Sequence, residues 1–552
     1  MQRQGELVMK KNFDFSVSYT ANGQKYTSDR LKSDHFEIVL TEKEEVLKAV
    51  LYPKCPISNI EISMTCTHLY TPESKIFVNG YQSWTDTREF FIDEKLPRLS
   101  KFGHILPVLK AYGDENFVKY PPRGVFHGYT YGYIRDFNKL YLYGSMTEQC
   151  GYTIVKFDTR KNAVIISKDL DGVTISNPYE VFNLGYFEGE YDEVFDRYFS
   201  LQNLPGLRLK SATGYTSWYN YYTKVTRQNI DNDLKSFKER DIHPMFFQID
   251  DGYQTNVGDW LSVKKEFGNM KELTDNIHNQ GIRAGLWLAP FACLKASNVY
   301  KEHKDWLLKD AKGRYVKGGL NWDAINGFFV LDIEKQEVKD YLKHVFDVVL
   351  NEWNFDMVKL DFLYAVCQIP RNNKSRGQIM CEAMDFLREC VGNKLILGCG
   401  VPLGPAFGKV DFCRIGCDVN LKWGESFVDR NIHRERVSTI NTLNDTIFRR
   451  HLNGRAFVND PDVFFLRDYN IELTEEQRLL IADINKLFGG VLFISDDIST
   501  YNEKNLDNLR NIFKEDEIEI LEAEYITKSI ISIRYSINGI EQELSFDIQT
   551  GK

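Results

Sequence analysis

DMVKLDF, residues 356–362, is an apolar, β-prone run that delivers Lys359 and then Asp361 to its C-terminal end. Two residues separate them, so on a strand both side chains share one face. VDFCRIGCDV at 410–419 repeats the plan, with Arg414 inside the run and Asp418 near its end. MFFQIDD at 245–251 ends in Asp250 and Asp251, and IRAGLWLAP at 282–290 carries Trp287. TGYTSWY at 213–219 ends in Trp218 and Tyr219, and KLILGCG at 394–400 carries Cys399.

Helical patterns separate these runs. RQNIDNDLKSFKER at 227–240 spaces Ile230, Leu234 and Phe237 along one helical face. NMKELTDNIHNQ, EKQEVKDYLKHVFDVVLNEW, RGQIMCEAMDFLREC and TEEQRLLIADINKLF read the same way, with an insertion before the second of these. GRAFVND and GGVLFISDD supply two further strands. Strand and helix alternating across residues 206–505 predicts a central (β/α)8 TIM barrel; a doubly wound open sheet is the alternative.

Upstream, residues 1–205 read as short strands (HFEIVLT, EEVLKAVLY, IEISMTCTHLY, KLYLYGSM, YTIVKFDT, NAVIISKDL) punctuated by Gly, Asn, Asp and Pro. That pattern predicts an N-terminal antiparallel β-sandwich, with LQNLPGLRL at 201–209 as the linker. Residues 506–552 return to strand patterning with an Asn-Gly turn at 538–539, which predicts a small C-terminal β-domain, a sandwich.

Composition bounds the function. The 552 residues exceed one ordinary core, so about two to four domains are expected. A net charge of −9 argues against nucleic acid or an anionic membrane as partner. No run reaches the ~18 apolar residues of a membrane span. MQRQGELVMKKNFDF lacks the apolar core of a secretory signal, and Met9 offers an internal start. The 10 cysteines are scattered without metal spacing, Cys413 and Cys417 included. They read as reduced thiols in a cytoplasmic protein, with neither metal nor cofactor expected. Aromatic residues, at 14%, suit both a large β-rich core and sugar rings.

In a barrel, reacting groups come from the C-terminal ends of strands. Any single Asp there is commonly a cap or turn former, and Asp332, before EKQEV, is expected to cap a helix. Asp411 and Asp462 are candidates for local turns. Convergence of several polar strand ends favours a site. Asp361 and Asp418 would supply the two carboxylates that cleave a glycosidic bond with retention, one as nucleophile and one as acid and base. Lys359 would keep Asp361 ionised, and Asp418 would need a raised pKa to act as acid. Asp250 and Asp251 would accept sugar hydroxyls, with Arg414 as ligand or perturber. Trp218 and Trp287 would stack on a ring. GCGVPLG at 398–404 lacks the spacing of a phosphate loop, and neither HExxH nor GxSxG is present.

In order along the chain stand NGYQSW (79–84), FFQIDDGY, GDW (258–260), GLWLAP, HKDW (303–306), MVKLDF, ILGCG, CRIGCDV and NDPDVFFLR (459–467). This series resembles glycoside hydrolase family 36, near its compact bacterial α-galactosidases. The resemblance implies an N-terminal β-supersandwich, a (β/α)8 barrel and a C-terminal β-domain. It implies retaining hydrolysis of terminal α-galactose from small oligosaccharides without a metal. It further implies Asp361 as nucleophile, Asp418 as acid/base, and Asp250, Asp251, Trp218, Tyr219, Trp287, Lys359, Cys399 and Arg414 as sugar-binding positions. An aromatic at or near Tyr81 is expected at the pocket rim, and a homo-oligomer is expected. The chain departs from close relatives at Tyr81, where Trp is usual, and at Cys417 and Val419, where Pro and Thr flank the acid/base. The alternatives are an α-N-acetylgalactosaminidase, a raffinose-synthase-type transglycosylase, and a non-catalytic sugar-binding protein.

Overall fold

The computed structural model describes residues 11–552 except 102, 427, 428, 430 and 431; Met9 lies outside them. Two antiparallel sheets come first. One has six strands, with Ile57–Thr67 and Ala163–Lys168 at its centre, and the other has seven, centred on Lys139–Ser145. Alternation along their strands sends Val17, Met64, Val155 and Ile166 inward with Ile38, Leu51 and Leu184, all buried. That inner layer is the sandwich core. The outer face of the seven-stranded sheet, through Phe77, Tyr131 and Tyr133, rings His451 of the next unit.

Eight parallel strands then form one nearly closed sheet. We number them β1 (Ala212–Thr216), β2 (Phe246–Ile249), β3 (Arg283–Leu288), β4 (Met357–Leu360), β5 (Leu395–Gly398), β6 (Phe412–Arg414), β7 (Val458–Asp460) and β8 (Val491–Ile494). Their order is β7-β6-β5-β4-β3-β2-β1-β8. Gly490 N–H donates to Asn459 O at 2.9 Å across the seam between β7 and β8. A Cβ on Gly490 would come within 2.3 Å of the Val458 side chain, so the seam requires glycine. β2, β4 and β5 are buried along their whole length, as strands covered on both faces must be.

The intervening helices start where the sequence supplies caps. Thr226 and Asn229 form a capping box on helix Arg227–Glu239, and Thr474 and Gln477 another on Glu475–Phe488. Asp332 is not a cap. Helix Gln336–Asp347 begins too far downstream, after Lys335. Asp332 instead accepts from the Glu334 N–H and pairs with Arg371 at 2.8 Å. Asp411 is structural too: its Oδ2 accepts from Ile396 N and from Arg388, tying β6 to β5 at the N-terminal end of the barrel.

The insertion between β3 and β4 forms a small three-stranded sheet (Ala292–Cys293, Phe328–Val330, Lys317–Gly319). It carries Asn321 and Trp322 over the mouth of the barrel. The C-terminal strands Ile518–Tyr525, Ile530–Ile537 and Ile540–Asp547 form a single antiparallel sheet. Its second layer is the preceding unit rather than another sheet, with Tyr525 stacked on Phe448. Asn538 and Gly539, at φ 51° and 79°, make the tight turn between its last two strands.

Candidate active site

A cavity of about 410 Å³ opens at the C-terminal end of the barrel, within the size range of small-molecule sites. Asp361 and Asp418 both line it, together with Asp250, Asp251, Lys359, Trp218 and Trp287. Each is there because β1 to β6 end beneath it. Asp361 follows β4, and Phe362, at φ 55°, turns the chain away so that the carboxylate stands clear of the strand.

The Asp361 carboxylate is held from two sides. Its Oδ2 accepts from the Trp287 indole at 3.0 Å and its Oδ1 from Phe362 N–H at 2.8 Å. Burial raises its pKa, against the opposing charge of Lys359 and the Trp287 hydrogen bond. The direct partner of Lys359 is not Asp361 but Asp250, at 2.8 Å. Asp250 is also gripped by Gln248 at 2.7 Å and by the Asp251 N–H at 2.8 Å. Asp251 accepts from Gln254 and from Trp322 Nε1, each at 2.6 Å, and burial lifts its carboxyl to about 6.

Asp418 lies in the loop after β6. Its side chain is 34% exposed, against 5% for Arg414, which donates to it at 2.8 Å. The same guanidinium pairs with Asp462 at 2.7 Å and approaches Asp460 at 3.3 Å. Asp462 is therefore part of the site and not a local turn residue.

Four expected positions lie behind the wall rather than on it. Tyr219 is buried, with its hydroxyl donating to Asp462. Cys399 is buried, its Sγ 3.3 Å from Trp84 Nε1. Arg414 acts through the carboxylates it holds. Tyr81 is buried as well, with its hydroxyl 3.4 Å from Cys367 Sγ. Trp84, three residues on in the same NGYQSW run, does line the cavity.

Trp84 meets the expectation of an aromatic near Tyr81, whereas sequence reading missed Tyr112, Asn321, Trp322, His433 and Glu435, all of which line the cavity. They come from the sandwich unit, the β3–β4 insertion and the segment after β6. Tyr112 stacks on His433 at 4.4 Å, and Thr85 donates to Glu435 at 3.1 Å, so the rim is shared between units. Burial sets Glu435 at about 7 and His433 at about 3. The motif NGYQSW was the available signal for Trp84; nothing in the insertion marked Trp322. Among the described residues no cluster of His, Cys, Asp and Glu is arranged to hold a metal ion.

Residues 215–387 match the family model Melibiase. An α-galactosidase of Lactobacillus acidophilus is 32% identical over 140 residues, 24% of this chain and 18% of that protein. The A type blood α-D-galactosamine galactosaminidase of Flavonifractor plautii is 30% identical over 175 residues, 28% of this chain and 16% of that one. The matched stretches thus span less than a fifth of these relatives' length. Among solved structures, an α-galactosidase of Thermus thermophilus is 23% identical, with a TM-score of 0.72 over 95% of this chain and 98% of its own. The family 36 α-galactosidase AgaA of Geobacillus stearothermophilus shares 12% identity at a TM-score of 0.60, over 94% of this chain and 73% of its own. The chain is thus similar to the Melibiase family through the first half of its barrel, and alike in fold to these α-galactosidases over nearly its whole length.

Proposed function

We propose that the protein is a retaining, exo-acting α-galactosidase that removes terminal α-linked galactose from small oligosaccharides. The observation that carries this reading is that Asp361 and Asp418, from two strands, line one cavity whose floor is Asp250, Asp251 and Lys359. The relatives named for α-galactosidase activity support the choice of sugar.

Asp361 is assigned as nucleophile. Its two hydrogen bonds fix the carboxylate, and Trp287 favours its ionised form. Asp418 is assigned as acid and base, since its greater exposure leaves room for a leaving group and then for water. In the first half-reaction Asp418 protonates the glycosidic oxygen while Asp361 bonds to the anomeric carbon and the leaving sugar departs. In the second, Asp418 takes a proton from water, which attacks the same carbon and releases Asp361. Asp251, Asp250 and Lys359 are assigned to the hydroxyls of the galactose ring, with Trp218 and Trp84 as aromatic walls. Cys399, Arg414 and Tyr219 hold that layer in place from behind, and Tyr81 does so at one further remove.

A cytoplasmic site of action and a homo-oligomeric state belong to this proposal. The first is supported by 10 cysteines that are all unpaired among the described residues. No described helix is long and apolar enough to cross a membrane. The F. plautii relative makes the acetamido or amino sugar the competing substrate.

Replacing Asp418 by Ala tests the assignment of roles. Turnover of an α-galactosyl disaccharide is expected to fall by about 10²–10⁴-fold, the usual worth of general-acid assistance. A dinitrophenyl α-galactoside, whose leaving group needs no proton, is expected to lose far less in galactosylation. Equal losses on both would remove Asp418 from the acid role.

A further inference from the structure

Asp462 sits at the meeting point of three elements that carry the site. Its side chain is 1% exposed. Its Oδ1 lies 2.7 Å from Arg414 Nη2, and Arg414 Nη1 donates to Asp418 Oδ1 at 2.8 Å. Its Oδ2 accepts from Val419 N–H at 2.8 Å, so it also holds the backbone immediately after Asp418. The Tyr219 hydroxyl, from the turn after β1, donates to the same oxygen. Asp462 adopts φ 77°, a left-handed conformation that side-chain-bearing residues adopt at a cost. The Asp462 N–H donates to Asp460 Oδ1 at 2.9 Å, and Asp460 also faces Arg414.

A carboxylate needed only to close a turn would not reach a guanidinium, a tyrosine and a distant backbone amide at once. We propose that Asp462 is a positioning residue for Asp418, fixing its place through Val419 and its proton affinity through the shared Arg414 guanidinium. This rests on the assignment of Asp418 as acid and base. Arg414 faces three carboxylates, so its charge is divided among Asp418, Asp460 and Asp462. Removing the charge of Asp462 leaves more of the guanidinium to Asp418 and also removes a like charge nearby. Both changes favour ionised Asp418. The other groups facing Asp418 are Tyr219, Tyr222, Asp361, Cys399 and Cys417, and of these Tyr219 also donates to the side chain being replaced.

The test is Asp462→Asn, assayed across pH on an α-galactosyl disaccharide and on dinitrophenyl α-galactoside. On the disaccharide, kcat/KM is expected to fall by about 10²-fold, with its alkaline limb moved to lower pH by about one unit. On the aryl substrate the loss is expected to be several-fold, with no shift of the limb. Asp411→Asn, which disturbs a buried carboxylate away from the cavity, is expected to lower stability without changing the ratio between substrates. Should Asp462→Asn fail to fold, Tyr219→Phe removes one donor to Asp462, leaves its charge less shielded, and is expected to shift the limb by less and to higher pH. Equal losses on both substrates with an unmoved limb would overturn the proposal. Wild-type protein that turns over neither substrate would instead refute the assigned activity.

Discussion

Asp361 and Lys359 show how far a residue pattern reaches. Their spacing put both on one face of β4, and both do line the cavity. Lys359 does favour the ionised form of Asp361 as expected, but its direct partner is Asp250, at the end of β2, at 2.8 Å. Lys359 therefore acts on Asp361 at longer range, and burial prevails over it in setting the direction of the carboxyl's shift. Trp322 was illegible for a different reason: its loop has neither periodicity nor a motif, and only the folded insertion brings its indole to Asp251. Trp322 holds φ 64°, so its placement depends on the surrounding loop. Trp322→Phe keeps the ring and deletes the hydrogen bond to a buried carboxylate. We expect kcat/KM on aryl α-galactoside to fall about tenfold or more, as for a lost charge-assisted bond. Unchanged kinetics would show that Asp251 does not need this donor.

Elements with strong periodicity were readable and short ones were not. Helices Arg227–Glu239 and Glu475–Phe488 declared themselves by apolar spacing, and the structure adds a capping box to each. β6 and β7 have only three residues each, fewer than the strand-like runs VDFCRIGCDV and GRAFVND that announced them. The strands of the β3–β4 insertion have two or three residues and left no trace in the sequence. The same scale explains the error at Asp332: the residues after it resemble a helix start, but the first turn lies further on. Thr474→Ala removes the cap of the helix that backs β8 and is expected to cost about 1 kcal/mol in denaturant unfolding. No change in the midpoint would mean that packing of its buried Leu480, Ile481 and Ile484 alone fixes that end.

At the scale of the whole molecule, the outer face of the sandwich and the barrel share one core and one rim, while the inner layer of the sandwich is a core of its own. Arg449, fully buried, donates to Ser83 O at 2.7 Å and to Ile415 O at 2.6 Å, joining the NGYQSW segment to the chain after β6. This union is why Trp84 lines a barrel cavity, and no local pattern could disclose it. Burial also leaves a charge signature. Glu148, Asp233 and Glu435 are raised to about 7, and Asp251 and Asp462 to about 6. Raised carboxyls bind protons more tightly in the folded state, so stability falls as pH rises from the unfolded values near 4 through 6 and 7. His433 and His451 are lowered and act oppositely below pH about 6.5, but they are fewer. Asp114, lowered to about 2, is fully ionised across this window and adds no slope. The melting temperature is expected to be higher at pH 5 than at pH 7.5; the reverse order would show that the fold does not raise the proton affinity of these carboxyls. The central claim, α-galactoside hydrolysis by Asp361 and Asp418, is tested most directly by initial rates on aryl α-galactoside and aryl α-N-acetylgalactosaminide. Asp361→Ala serves as the blank. Rapid galactoside turnover is expected, abolished by the replacement while the protein stays folded. Near-normal activity in Asp361→Ala, or a folded wild-type protein inert on both substrates, would contradict it.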